Sequence, residues 1–225
     1  MDPLGFLVVQ LGGLLFFGGL GVLIWLLVYS SILKRRRQIA GYHHWAGQHG
    51  FHYWPFEHSV LAISARPPLT NGSSRQAADV FRGEYRGAHL HFFELRYTTD
   101  NGNSQSTDYF QVVAISLPAT RPLLDIRQES FMSKRFEKDI QFENQAFNDR
   151  FRIQSPSARF AYDVIHARMM EWMLSDWRAW SYAWRFEGPW LMTYRPGRLR
   201  LDEVFGYADF LHEARKRVPE HVWSD

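Results

Sequence analysis

The chain has 225 residues, 46% hydrophobic and 16% aromatic, and its lack of cysteine excludes disulfides, thiolate metal sites and thiol nucleophiles. Its 26 Lys and Arg against 23 Asp and Glu give a formal charge of +3. Four of those cations are consecutive at Lys34, Arg35, Arg36 and Arg37 and one anion is Asp2, so residues 38–225 are formally neutral and no nucleic-acid partner is expected.

From Leu4 to Leu33 the sequence carries one side chain with strong hydrogen-bonding demand, Gln10. At about 1.5 Å per residue this run exceeds the roughly 30 Å of bilayer hydrocarbon, so it reads as a transmembrane helix with the lipid bilayer as its partner. Met1-Asp2-Pro3 lacks the basic start of a cleavable signal, and the apolar run is too long for one. Lys34, Arg35, Arg36 and Arg37 form the basic stop, which sets the topology N-out with the C-terminal domain cytoplasmic. Gly5, Gly12 and Gly19 recur every seven residues, placing them near one face where a second membrane helix could pack.

The expected organisation is therefore 1–37 as transmembrane anchor with basic stop, 38–74 as juxtamembrane helix and irregular linker, and 75–225 as a cytoplasmic α+β domain. Ile39, Tyr42, Trp45 and Ala46 have helical spacing and Gly50 is a natural stop. Pro55, Pro67, Pro68 and Asn71-Gly72-Ser73-Ser74 mark irregular or edge structure. Strands are expected over 78–85 and 88–97, the second alternating Leu90, Phe92, Glu94 and Arg96 against His89, His91, Phe93, Leu95 and Tyr97 as in a half-buried hairpin. Asn101-Gly102 predicts a hairpin tip leading into a buried strand over 108–117. Further strands are expected at 123–127, 140–142 and 147–153, giving a sheet of at least five.

Ser155-Pro156 opens a helix with Ala161, Val164, Ile165, Met169, Trp172 and Met173 on its apolar side. Glu187-Gly188-Pro189 between two apolar runs predicts a second hairpin. A last amphipathic helix runs from about Leu199 to Arg217, with Leu201, Val204, Phe205, Ala208 and Leu211 on one stripe and Arg215-Lys216-Arg217 complementing its dipole.

Candidate chemistry is sparse. His89 and His91 share a strand face and could take a metal with His43, His44, His49, His52 or His58, but no HExxH pattern supplies fixed ligand spacing. Asp139, Glu143 and Asp149 are the carboxylates that an acid/base pair would draw on, and no GxSxG elbow or phosphate-cradling glycine loop occurs. Met169, Met170 and Met173 beside Trp172, Trp177, Trp180 and Trp184 read as core, with an aromatic ligand pocket as the alternative. No catalytic residue, cofactor or metal is assigned.

The basic-stopped anchor, Asp79-Val80-Phe81-Arg82-Gly83-Glu84-Tyr85-Arg86-Gly87, Phe160-Ala161-Tyr162-Asp163-Val164, Met169-Met170-Glu171-Trp172 and Glu187-Gly188-Pro189-Trp190 together resemble uncharacterised single-pass membrane-anchored proteins of actinobacteria. The resemblance implies a cell-membrane protein and carries over no activity or site residue. The sequence thus predicts an α+β fold: a transmembrane helix, then one domain with an antiparallel sheet and two amphipathic helices. The expected role is membrane-proximal binding or scaffolding with a membrane or cytoplasmic protein partner. A lipid- or small-ligand-binding module resembling the pleckstrin type and a His-dependent metalloenzyme or hydrolase are the alternatives.

Overall fold

The computed structural model describes residues 3–100, 102, 104–128 and 139–224, with helix side chains described from Gly19 onward. Helix α1 (Pro3–His49) is one continuous helix, so the separate juxtamembrane helix expected after the basic cluster does not form. Nothing between Lys34 and His49 breaks it, since Gly41 and Gly47 are isolated and no proline intervenes. It stops at Gly50, whose φ of 75° lets Phe51 N–H reach back to the Ala46 carbonyl at 2.8 Å, a Schellman closure. Among the described residues no helix is long and apolar enough to cross a membrane. The part of the expected span from Leu4 to Gly18 lies outside the described side chains.

The chain divides into two compact units between Trp45 and Ala46. The second contains a six-stranded antiparallel sheet in the order β1 (His52–Phe56), β2 (Ser73–Tyr85), β3 (Ala88–Asp100), β4 (Gln105–Gln128), β5 (Phe151–Gln154), with β6 (Ala183–Pro196) also paired to β4. The stretch expected as irregular or edge structure supplies the edge strand β1 and a 3-10 helix (His58–Ile63). The tip at Asn101-Gly102 falls where expected, with Asp100 opposite Gln105.

Two expectations about strands are corrected. The runs 108–117 and 123–127 belong to one 24-residue strand, β4, which passes through Pro118 and Pro122 where its pairing with β6 is interrupted and a missing N–H costs no ladder bond. Glu187-Gly188-Pro189 is likewise no hairpin. Gly188, at φ 59°, pairs with Arg121 inside the irregular stretch of the ladder, so its left-handed backbone absorbs a bulge instead of reversing the chain.

The helical side also differs from the single helix expected after Ser155-Pro156. Helix α2 (Gln145–Asn148), capped by Asn144, replaces part of the extended segment expected over 147–153. Helix α3 (Ala158–Val164) is capped by Ser157, and α4 (Ala167–Ser175) restarts after a break at Ile165-His166. His166 causes the restart: Nδ1 accepts from Met169 N–H at 3.4 Å, and Nε2 lies 3.1 Å from the Arg217 carbonyl. Accepting at Nδ1 leaves Nε2 as the donor. Helix α5 (Trp177–Ser181) and helix α6 (Leu201–Arg217) complete the set.

Both sheet faces are covered. On one, Val60, Ile63 and Leu69 close over Val80, Phe93, Leu95, Val112, Ala114 and Met192. On the other, Trp184 packs against Phe210 of α6 with ring centroids 5.5 Å apart, and Trp172 of α4 stacks on Phe210 at 5.7 Å. The Met/Trp stretch is therefore core at Met169, Trp172, Met173 and Trp184, while Trp177 is exposed. The half-buried reading of β3 is corrected too, because Leu90, Phe92, Phe93 and Leu95 are all fully buried. Its polar positions explain the alternation: Glu94 accepts from Leu199 N–H at 3.0 Å, and Gln111 from Arg200 N–H at 2.7 Å, so both carry the start of α6 rather than face water.

Candidate functional site

The residues singled out by sequence are dispersed. Lys34, Arg36 and Arg37 are exposed on α1, and Arg35 donates to Gln38 at 3.1 Å. Gly5 and Gly12 lie outside the described side chains, and nothing lies within 4 Å of a Cβ built on Gly19. Asp139 is paired with Arg152 at 2.9 Å, and Asp149 accepts from Gln145 at 2.7 Å at the end of α2, so these two carboxylates serve local structure.

His49, His52, His89 and His91 do meet, lining a shallow cavity of about 480 Å³ with Arg82 and Glu84. Among the described residues, however, no three His, Asp or Glu form a group able to hold a metal ion. His89 is 67% exposed, with Nδ1 3.8 Å from Glu84, whereas the His91 ring lies 4.4 Å from that of Trp190. Burial, then the charges of Arg82 and His89, push His91 from 6.5 down to about 4. Unfolding therefore gains a proton between those values, and stability falls as pH drops from 6.5 toward 4. Discounted for partial exposure, the loss at pH 5 relative to pH 7 is about 1–2 kcal/mol from this group. His91→Phe keeps the ring against Trp190 and removes that component from urea unfolding curves at the two pH values; an unchanged difference would refute the assignment.

The largest concavity lies elsewhere, a groove of about 1540 Å³ that sequence reasoning missed. Arg86 from the β2–β3 turn, Arg168 at the start of α4, Arg178 of α5 and Arg215, Lys216 and Arg217 from the last turn of α6 bring six cations to it, against Asp209, Glu213 and Glu220. Leu117, Pro118, Val218 and Trp223 add an apolar wall. These charges come from positions scattered over the chain, so a formally neutral sequence still folds into a locally basic surface. The adjacent Arg215-Lys216-Arg217, read from sequence as a dipole complement, was the available signal.

Part of this charge is internally balanced. Arg86 lies 3.2 Å from Asp209, which also accepts from Tyr85 at 2.8 Å. Arg178 joins Asp176 at 2.5 Å to Glu213 at 2.6 Å, and Arg217 meets Glu213 at 2.9 Å. Hydrogen bonds to Asp176, opposed by burial and reinforced by Glu213, hold the Arg178 pKa above its ordinary value. Arg215 differs: Nη1 donates to the Ser116 carbonyl at 3.0 Å and Nη2 lies 3.3 Å from His212 Nδ1. Burial lowers its pKa, and burial followed by Arg215 and Arg86 lowers that of His212, which disfavours its charged form.

This arrangement defines an α+β protein with an antiparallel sheet and a basic groove of binding-site size. Its fold is similar to that of the mycobacterial trehalose monomycolate transport factor A, TtfA, whose crystal structure superposes with a TM-score of 0.56 and 19% identity over 79% of this chain and 94% of that chain. No family model and no curated protein matches the chain.

Proposed function

We propose that the protein is a single-pass membrane protein whose second unit, on the cytoplasmic side, is a binding module serving the movement of a lipid across or out of the membrane, with no catalytic step of its own. The observation that carries this reading is the surface of α1. Val22, Leu23, Ile24, Trp25, Leu26, Leu27, Val28 and Tyr29 are consecutive and all exposed. Consecutive helical residues turn about the axis, so every side of this segment is apolar and uncovered, a surface suited to hydrocarbon rather than water.

The sequence extends the same character back to Leu4 and closes it with Lys34, Arg35, Arg36 and Arg37. Those cations hold the following unit on the cytoplasmic side, and each adds about 1 kcal/mol of attraction to anionic headgroups. Gly5, Gly12 and Gly19 would then offer a close-approach face to a membrane partner helix. The fold likeness to a protein described as a transport factor for a mycolate ester supports lipid movement as the process.

Depletion in the native cell, followed by a pulse of labelled lipid precursor, tests the reading. Newly made envelope lipid is expected to accumulate in the inner membrane and to be cleared again by the full chain, but not by one lacking residues 4–33. Unchanged lipid distribution on depletion would contradict the proposal.

A further inference from the structure

We propose that the groove beside the end of α6 binds a phosphoryl-bearing anion, whether a lipid headgroup or free phosphate, through Arg168, Arg215 and Lys216. Of the six cations lining it, Arg86, Arg178 and Arg217 are engaged by Asp209 and Glu213. Among the described residues, no carboxylate pairs with Arg168, Arg215 or Lys216. Arg215 is the anchor of the site. It is half-buried, and its two hydrogen-bonded contacts, the Ser116 carbonyl and the His212 ring, carry no negative charge.

A guanidinium has five N–H donors in a planar fork suited to phosphate oxygens, and those contacts engage two of its nitrogens. A half-buried charge without a counter-ion is costly, so an entering anion recovers what folding left uncompensated. Two backbone features agree. The first turn of α4, where Arg168 sits, has N–H groups without intrahelical acceptors and a positive dipole end. The opposing negative end of α6 is blunted because His166 Nε2 caps the Arg217 carbonyl at 3.1 Å. The wall of Leu117, Pro118, Val218 and Trp223 gives the glycerol and first methylenes of a lipid a place that inorganic phosphate would leave empty.

The inference takes the membrane-proximal binding reading as its setting, but its test is read without any transport, so either can fail alone. Full-length protein in a neutral detergent is titrated calorimetrically with dihexanoyl phosphatidic acid, inorganic phosphate and uncharged dihexanoylglycerol. Arg168→Gln with Lys216→Gln is the informative variant, since both side chains are exposed and lack ion-pair partners, and a thermal melt confirms its fold.

Saturable binding of the phosphatidic acid, weakened at least tenfold in that variant and retained when Lys34 to Arg37 are all changed to Gln, is expected. Tighter binding of phosphatidic acid than of phosphate assigns a headgroup; equal binding assigns free phosphate. The proposal is overturned if neither anion saturates, if the uncharged lipid binds as well, if the Arg168/Lys216 variant binds like the wild type, or if the signal vanishes with the Lys34–Arg37 cluster.

Discussion

Arg185→Ala is expected to destabilise the second unit by about 3–5 kcal/mol, the usual cost of stripping one member from a buried ionic cluster. Arg185 is 0% exposed. Its Nη2 donates to the Tyr194 hydroxyl at 2.6 Å and the Pro67 carbonyl at 2.5 Å, its Nη1 donates to Ser64 Oγ at 3.3 Å, and Nε lies 3.4 Å from Asp125 Oδ1. The guanidinium also sits 4.7 Å from the centre of the Tyr194 ring.

One side chain therefore ties the loop at 64–67 to β4 and β6, and Glu187 reinforces the same tie by accepting from Ser64 Oγ at 2.5 Å and Ala65 N–H at 3.0 Å. Removing Arg185 leaves Asp125 buried, with Arg127 as its remaining cation. Replacing both Arg185 and Asp125 by apolar residues should cost less than the Arg185 change alone, because no unpaired charge remains. Equilibrium denaturation of the single and double variants measures this; a single-variant loss below about 1 kcal/mol would show that the cluster is not held as described.

What the sequence made legible follows physical rules that act locally. The stripe Val204, Ala208 and Leu211 is buried along α6 because a 3.6-residue period needs no knowledge of the partner surface. The Asn101-Gly102 tip was readable because its backbone preference is intrinsic to those two residues. The misreadings arose where tertiary context decides. Glu187-Gly188-Pro189 has turn composition, yet β4 pairs on both sides of it and holds the chain extended. Glu94 looks like a solvent-face residue until α6 places Leu199 N–H against it. The break at His166 depends on the Arg217 carbonyl, 51 residues away. The basic groove was hidden for the same reason, since Arg86, Arg168, Arg178 and Arg215 are neighbours only after the sheet and helices have assembled.

Membrane placement is the second large effect, because it is close to all or none. A polar helix with every side uncovered is compatible with water, but the exposed Leu20, Leu23, Leu26 and Leu27 on α1 are not a polar helix. Burying a leucine side chain in hydrocarbon contributes about 1.5–3 kcal/mol, and a run of this length sums to insertion that alkali cannot reverse. Introducing Arg at Leu20 and Leu26 would each cost about 2.5–3.5 kcal/mol at mid-helix, enough to weaken insertion markedly.

The deciding measurement is flotation of the full chain on a density gradient after an alkaline carbonate wash of native membranes. Insertion predicts that the wild-type chain floats with the lipid and that the Leu20→Arg, Leu26→Arg double variant shifts toward the soluble fractions. A wild-type chain recovered in the carbonate supernatant would contradict a membrane-spanning α1 and, with it, the cytoplasmic-face binding role.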